Sequence, residues 1–249
     1  MGVIKNMLST LVDSLFVDYK CIFCNTETIN DSRVCSTCEE KLKIILSSIC
    51  DKCGALIDKS DVVCAYCFDK KYVFSKHRSC FIYSELSSTP VKLLKYEKKK
   101  YLAKSLAKIM FALNKDIFHN VDIITFVPMT TERKRNRGYN QSEEICKVLS
   151  DITKIPVKPL LIKNHSTSHQ ADLNFIDRTK NLKGSFAIND KYIELLKGKR
   201  VLIVDDVFTT GSTLNECSRV LLKSKAKEVR ALTFLKTDPF DNSEDTLIF

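Results

Sequence analysis

The sequence predicts an α/β protein in which a parallel sheet is flanked by helices and preceded by a small metal-binding module. Two observations predict this class. From about residue 72 onward, apolar runs of strand length alternate with segments of helical periodicity, which is typical of a parallel sheet covered on both faces. Before that point, eight cysteines form four C-x-x-C pairs within little apolar sequence. Such a segment cannot fold around a core of its own, so we expect bound metal to stabilise it.

The cysteine pairs have the spacing of zinc ligands. Ten residues lie between Cys24 and Cys35, and ten between Cys53 and Cys64, so one unit occurs twice. Two thiolates three positions apart can bind one ion from a tight turn, a second pair completes a tetrahedron, and soft thiolates favour Zn²⁺. We predict two structural zinc ions, bound by Cys21, Cys24, Cys35, Cys38, Cys50, Cys53, Cys64 and Cys67.

The order in which the pairs share the two ions stays open, because sequential and interleaved arrangements are both tetrahedral. Disulfides would suit an exported chain, and a thioredoxin-type redox motif would be a single pair beside a βαβ unit, so neither fits the four pairs. We assign residues 1–70 to a zinc module and residues 71–249 to the α/β domain. The other cysteines, Cys80, Cys146 and Cys217, are expected to be buried as small apolar side chains.

The bulk properties of the chain favour a cytoplasmic protein. No apolar run approaches the ~20 residues needed to cross a bilayer, so no membrane insertion is expected. Residues 6–18 carry Asp13 within their apolar stretch and have no small-residue cleavage site, which argues against a signal peptide. A formal net charge of +10 suits a polyanionic partner, although lysine-rich compositions produce the same balance without one.

The alternating pattern assigns the elements of the α/β domain. Strands are predicted at residues 78–83, 121–127, 157–162, 201–204 and 229–235, and helices at residues 91–113, 140–149 and 212–222, the first of them interrupted at residues 98–100. In parallel sheets of this class, ligands bind beyond the carboxyl ends of the strands. That rule selects residues 128–140 and residues 205–213 as the ligand-binding segments.

The second of these segments has the chemistry of a sugar-phosphate site. Asp205 and Asp206 follow the apolar strand, and their carboxylates can accept hydrogen bonds from a sugar diol. The next residues open a helix whose backbone amides, dipole and hydroxyl groups favour an anion, and a glycine among them permits close backbone approach. An acid pair before a capped helix also occurs in response regulators, but that interpretation does not account for the hydroxyl-rich run Thr209, Thr210, Gly211, Ser212 and Thr213. Together these residues predict a site for ribose 5-phosphate.

Residues 201–213 resemble, over their whole length, the signature with which type I phosphoribosyltransferases bind 5-phosphoribosyl-1-pyrophosphate (PRPP). The chain is also similar to the ComF family, which joins an N-terminal cysteine zinc module to a transferase-like domain. The residues that carry this second resemblance are Val127, Pro128, Arg133, Arg137, Gly138, Tyr139, Asn140, Gln141, Gln170, Arg178, Asn181, Gly184 and Phe186.

The resemblance implies a type I phosphoribosyltransferase-like sheet and a site for PRPP with Mg²⁺. Asp205 and Asp206 would hold the ribose hydroxyls, and the hydroxyl-rich run would bind the 5′-phosphate. Arg133 and Arg137 would bind the pyrophosphate, since guanidinium groups bind phosphate oxygens bidentately. In an active enzyme these four residues would be catalytic, because the bond from ribose C1 to pyrophosphate would break through an oxocarbenium-like state.

Residues 164–170 look like the mobile loop that covers PRPP in related proteins. Such families commonly have an arginine near Lys163 or Asn164, and its absence here leaves the catalytic competence of the loop open. His165 and His169 are four positions apart, but their segment lacks helical periodicity, so no metal site is expected there.

The ComF family is associated with natural competence and with handling of incoming single-stranded DNA, so the resemblance implies DNA and the DNA-uptake machinery as partners. The zinc module and the basic residues 96–108 could form a nucleic-acid track, although a solvated helix face would have the same composition. Two alternatives remain at this point. The chain could transfer ribose 5-phosphate from PRPP to an acceptor for which the sequence shows no pocket, or it could be a PRPP-sensing regulator without transfer activity.

Overall fold

The computed structural model describes residues 20–28, 33–57, 63–164, 182 and 184–238. The strands are β1 (Lys76–Ile82), β2 (Ile123–Phe126), β3 (Leu161–Lys163), β4 (Phe186–Ile188), β5 (Arg200–Phe208) and β6 (Glu228–Lys236). The α-helices are α1 (Ser36–Lys41), α2 (Ala65–Asp69), α3 (Glu85–Tyr96), α4 (Leu102–Leu113), α5 (Thr131–Arg137), α6 (Gln141–Thr153), α7 (Ile193–Leu196) and α8 (Ser212–Lys223). Short 3-10 helices lie at Lys115–Phe118 and Asp190–Tyr192.

The main sheet has four strands in the order β1-β6-β5-β2, and all three pairings are parallel. The two inner strands, β5 and β6, are largely buried because each has a strand neighbour on both sides and packed layers on both faces. Alternate residues of β5 contribute to different cores, with Leu202 and Val204 in one and Val201 and Ile203 in the other. The predicted parallel sheet flanked by helices is confirmed.

Helices cover both faces of this sheet. On one face, α4 and α6 pack through Leu106, Met110 and Ile145, and on the other face α8 packs through Leu214 and Leu221. The interruption predicted at residues 98–100 separates α3 from α4, and Lys98 there adopts a left-handed backbone conformation with φ of 56°. The break matters for the site, since it lets α3 end at the carboxyl edge of the sheet.

The cysteine-rich segments pack on the same two cores. Phe23 of the first segment contacts Phe81 of β1 and Phe234 of β6, with ring centroids 5.7 Å and 6.4 Å apart. The second segment contributes its four buried cysteines to the core that contains Phe74 and Phe208. The boundary between residues 70 and 71 stays a prediction. Of the described residues, no helix is long and apolar enough to cross a membrane.

Two sequence expectations about local structure differ from the fold. The strand expected at residues 157–162 is only partly formed, because Val157 makes an isolated parallel bridge to Ile124 whereas β3 pairs antiparallel with β4 outside the main sheet. Pro156 and Pro159 explain the interruption, since proline has no amide to donate to a ladder. The basic residues 133–137, for which no helix was predicted, lie in helix α5.

Candidate functional site

The four cysteine pairs form two sequential clusters. Cys21, Cys24, Cys35 and Cys38 form one set, Cys50, Cys53, Cys64 and Cys67 form the other, and within each set the Sγ atoms lie within 4.8 Å of one another. A tetrahedral zinc tetrathiolate has Sγ atoms roughly 3.8 Å apart, since each lies about 2.3 Å from the metal. Cys24 Sγ lies 3.6 Å from Cys35 Sγ, and Cys53 Sγ lies 3.6 Å from Cys64 Sγ. The donor set therefore fits zinc, and the sequential arrangement is the one that forms.

Each cluster is built from a turn and a helix start. In the second cluster, the amide of Gly54 donates to the carbonyl of Cys50 at 2.9 Å, closing a turn in which Gly54 has φ of 66°. The amides of Cys53 and Cys64 lie 3.5 Å and 3.4 Å from Cys50 Sγ, in position to donate to a thiolate. The later pair of each cluster begins at the N-cap of α1 or α2, so one thiol of each pair lies at the start of a helix. We name the two units the first zinc ribbon (residues 21–38) and the second zinc ribbon (residues 50–67).

The hydroxyl-rich loop lies between β5 and α8, at the carboxyl edge of the sheet. Gly211 is the N-cap of α8, has φ of 73°, and offers no side chain to bind the first-turn amides of the helix. By contrast, Asn140 caps α6 through hydrogen bonds from the amides of Ser142 and Glu143 to its side chain. The amide of Ser212 donates to Thr210 Oγ1 at 3.3 Å, which leaves the next amides of the first turn of α8 available for an anion. A small pocket lies against this loop and is lined by Asp205, Thr209, Gly211, Ser212 and Thr213 among others. We call residues 209–213 the phosphate loop.

The two acids adjacent to this loop lie within β5, which continues as far as Phe208. One oxygen of each carboxylate is anchored by the protein. Asp205 Oδ1 accepts from the amide of Asp206 at 2.9 Å and from Ser142 Oγ at 3.0 Å. Asp206 Oδ2 accepts from Gln141 Nε2 at 2.8 Å and pairs with Lys95 Nζ at 3.0 Å. The pair is thus held in one orientation by residues of α3 and α6.

The surroundings of the acid pair shift its protonation. Burial and the neighbouring charge of Asp206 raise the pKa of Asp205 from 3.8 to about 7, against the opposing attraction of Lys95. Burial is the largest single influence on the pKa of Lys95 and lowers it, but the attraction and hydrogen bond of Asp206, together with Asp205 and Tyr96, raise the pKa above its ordinary value. Lys95 and Asp206 thus form a nearly buried ion pair, with side chains 14% and 6% exposed.

The basic residues of α5 differ in their placement. Arg137 is half-buried, donates to Gln141 Oε1, and lies over the ring of Tyr96 with its guanidinium carbon 5.6 Å from the ring centre. It therefore reaches the acid pair through Gln141, which also binds Asp206. Arg133 is exposed at the start of the same helix. Pyrophosphate binding by both arginines stays a prediction.

Three polar residues of the site carry no signal in the sequence patterns. Lys95 lies in a segment predicted only as helical, and its ion-pair partner Asp206 lies 111 positions later in the chain. Tyr72 donates from its hydroxyl to the carbonyl of Thr210 at 2.7 Å. Lys163 interacts electrostatically with two residues of the site: burial and then the charge of Arg133 lower its pKa, while Asp205 acts in the opposite direction. Only contacts between distant segments identify such residues.

Several expectations fall outside the described residues. These are the histidine pair at 165 and 169, most of the expected PRPP-covering loop, and the residues Gln170, Arg178 and Asn181. Of the other residues in the family pattern, Gly184 donates its amide to Glu216 Oε1 at 2.9 Å and Phe186 lies in β4. Cys80, Cys146 and Cys217 are fully buried, as predicted.

Comparison with known proteins supports both the two cysteine clusters and the α/β domain. A phosphoribosyl transferase domain matches residues 101–246, and a double zinc ribbon domain matches residues 11–83. The chain is 29% identical over 222 residues to Competence protein F of Haemophilus influenzae, covering 86% of this chain and 96% of that protein. It is 27% identical over 214 residues to DNA utilization protein YhgH of Escherichia coli (strain K12), covering 82% and 90%. It is 25% identical over 257 aligned residues to Competence protein ComFC of Bacillus subtilis, covering 95% and 98%.

Proposed function

We propose that this chain, which belongs to the phosphoribosyl transferase domain family, binds PRPP with Mg²⁺ at the phosphate loop and acts in the uptake or use of DNA in the cytoplasm. The observation that supports this ligand is the first turn of α8, whose N-cap residue Gly211 has no capping side chain, beside two carboxylates on β5. The 5′-phosphate would accept from the amides and hydroxyls of the loop. The ribose hydroxyls would donate to the acid pair.

The anchoring of the acid pair supports this assignment. Since donors of the protein engage Oδ1 of Asp205 and Oδ2 of Asp206, we expect the second oxygen of each carboxylate to accept from the ribose diol. Mg²⁺ bound with PRPP beside Asp205 and Asp206 would neutralise part of the charge of the phosphate groups. Lys95, Lys163, Arg133 and Arg137 supply cations around the same edge of the sheet, which suits a ligand with two phosphorylated positions.

The test is calorimetric binding of Mg²⁺ and PRPP to the full chain. Replacing both carboxylates (Asp205→Asn with Asp206→Asn) should weaken binding by about a hundredfold, since each lost charge-assisted hydrogen bond costs about 1.5 kcal/mol. The matched control is Asp151→Asn with Asp190→Asn, which removes the same charge from exposed positions of α6 and the second 3-10 helix. Equal PRPP affinity in the two double variants would refute the assignment.

A role in DNA use is supported by the relatives and by one surface. The proteins named for competence and DNA utilization match 82–95% of this chain. Tyr96 and Tyr101 are 68% and 67% exposed, and they flank the three lysines at residues 98–100. Lys104 and Lys108 extend this surface as exposed residues of α4. Exposed aromatic rings among cations are the features with which proteins stack and track single-stranded nucleic acid. We therefore propose that single-stranded DNA binds across this surface, beside the PRPP site.

Fluorescence anisotropy with a labelled oligothymidine tests the surface. Tyr96→Ala with Tyr101→Ala should weaken binding at least about tenfold, because stacking contributes roughly 1–3 kcal/mol per base. Phe68→Ala is the control, since Phe68 is an aromatic residue that is 84% exposed on the second zinc ribbon's helix. Affinity should also fall steeply with salt as phosphate contacts release counterions. Binding that is insensitive to both the tyrosines and salt would exclude this surface.

A further inference from the structure

The segment that directly follows the second zinc ribbon contacts the phosphate loop. Tyr72 follows α2, the helix that carries the zinc ligand Cys67, and its hydroxyl donates to the carbonyl of Thr210 at 2.7 Å. The next amide, that of Val73, donates to Asn215 Oδ1 in the first turn of α8 at 2.7 Å. Two consecutive residues, Tyr72 and Val73, therefore bind the chain before and after Gly211.

The loop is also packed tightly against the same segment. A Cβ added to Gly211 would lie 2.8 Å from Cε1 of Tyr72 and 2.5 Å from Cζ of Phe208, closer than such atoms approach in proteins. Glycine at this position is thus required by contact with the ribbon side of the loop, in addition to its left-handed φ of 73°. The backbone of the loop rests on an aromatic surface formed by Tyr72 and Phe208, whose rings meet edge to face at 6.0 Å.

A second route joins the loop to the cluster of cysteines. His77 stacks on Phe208 at 4.1 Å, and its Nδ1 lies 2.7 Å from the carbonyl of the zinc ligand Cys53. Lys236 Nζ lies 4.1 Å from the centre of the Phe208 ring and is 2% exposed. A zinc ion with four thiolates carries a net charge of −2, so a buried ammonium beside it compensates charge that water does not reach. Phe208 is therefore fixed from the side of the second ribbon.

The first zinc ribbon has a different position. Its cysteines lie 29 positions before those of the second ribbon, so the two are repeats of one unit. The segment that follows it docks on the edge of the sheet, with the amide of Ile82 donating to Lys43 at 2.9 Å and that of Ile45 donating to Cys80 at 2.9 Å. These contacts stabilise β1, whereas the corresponding segment of the second ribbon contacts the phosphate loop.

We infer that Tyr72 is a positioning residue for the phosphate loop, and that the second zinc ion determines where Tyr72 lies. The inference rests on the proposed function, because it concerns the same loop. It makes the second ribbon a component of the ribose-phosphate site. Zinc occupancy of that ribbon and occupancy of the loop are then linked, and linkage is reciprocal: each stabilises the other by the same factor.

Hydrogen exchange of the zinc-loaded, ligand-free chain tests the positioning role. Tyr72→Phe keeps the ring and removes the hydroxyl, so exchange of the hydrogen-bonded amides of Ser212 and Asn215, on the helix side of Gly211, should accelerate about fivefold, the effect of losing one hydrogen bond. The control is Tyr192→Phe, a half-buried tyrosine of the second 3-10 helix, which should leave those amides unchanged. Unchanged exchange of both amides in Tyr72→Phe would overturn the inference.

The reciprocal measurement uses ribose 5-phosphate and a chromogenic zinc chelator. Saturating ribose 5-phosphate should slow the release of one of the two zinc ions severalfold, and alkylation of the freed thiols should assign that ion to Cys50, Cys53, Cys64 and Cys67. The slowing should disappear in Tyr72→Phe. Equal release with and without bound ribose 5-phosphate would overturn the inference while leaving the proposed function intact. If calorimetry shows no ribose 5-phosphate binding, the proposed function fails, and the exchange experiment alone decides the role of Tyr72.

Discussion

The protonation of Asp205 gives PRPP binding a defined dependence on pH. Burial and the charge of Asp206 raise the pKa of this carboxyl to about 7, so it is largely protonated below neutrality. Ribose hydroxyls donate to the ionised form, and a nearby Mg²⁺ also favours it. With a pKa near 7, the ionised fraction rises from about one tenth at pH 6 to about nine tenths at pH 8. We therefore expect this group to strengthen binding about tenfold between those values, or about 1.4 kcal/mol.

Calorimetry at pH 6, 7 and 8 measures this term, and buffers with different ionisation enthalpies report the proton released on binding. The phosphate groups of PRPP also titrate in this range, so the comparison that matters is with Asp205→Asn, in which they titrate in the same way. The variant should bind more weakly and should lack the tenfold contribution of the carboxyl. Parallel pH profiles for the wild type and Asp205→Asn would refute the reasoning.

The ionisation of Asp205 gives folding stability a pH dependence opposite in sign to that expected for PRPP binding. Since the folded-state pKa of Asp205 is raised from 3.8 to about 7, the folded state holds more protons than the unfolded state between those values. The contribution of this group to stability is therefore present below about pH 4 and is lost as the pH rises through 7. Ionisation of Asp205 therefore lowers folding stability, but it produces the carboxylate form to which a ribose diol would donate.

Three further predictions follow from contacts in the site. Lys95→Met should lower the free energy of unfolding by about 3 kcal/mol in urea titrations, because it leaves Asp206 without its buried cation, and adding Asp206→Asn should recover part of that loss. Gly211→Ala should weaken ribose 5-phosphate binding at least about tenfold in calorimetry, whereas Gly198→Ala, which has a similar φ but open space around it, should have no effect on binding. Cys24→Ser with Cys35→Ser should remove one zinc ion by mass spectrometry and Cys24→Ser with Cys53→Ser should remove two, the reverse of what interleaved ligation gives.

Local patterns were sufficient for the parts of this fold that depend on periodicity. The buried strand at 201–204, the helix from Ser212 and the break near Lys98 all follow from apolar spacing and charge. The pairing of cysteines could not be predicted, because both arrangements satisfy the same tetrahedron and only the path of the chain decides between them. The helix α5 was missed because its residues are almost all polar, so no face of it shows an apolar period.

The site was predicted where its chemistry lies in one segment and missed where it is assembled from several. Asp205 and Asp206 adjoin the phosphate loop in sequence, so their roles could be inferred together. Lys95 and Tyr72 reach the same site from α3 and from the second ribbon, 111 and 138 positions from their partners Asp206 and Thr210. Nothing in the local sequence distinguishes them from a solvated lysine and a core tyrosine.

The contacts of Gly211 change the interpretation of the motif that contains it. A glycine before a phosphate-binding helix is usually explained by close approach of the ligand. Here two aromatic rings of the protein lie where its Cβ would be, and one of them belongs to the segment that follows a zinc ligand. Contacts with Tyr72 and Phe208 therefore fix the conformation of the phosphate loop in the absence of ligand. A site preorganised in this way loses less entropy on binding, which favours PRPP at low concentration whether or not transfer follows. The cysteines of the second ribbon lie in the same core as Tyr72 and Phe208, so the inference that the ribbon and the sheet form one binding unit needs no linker between them.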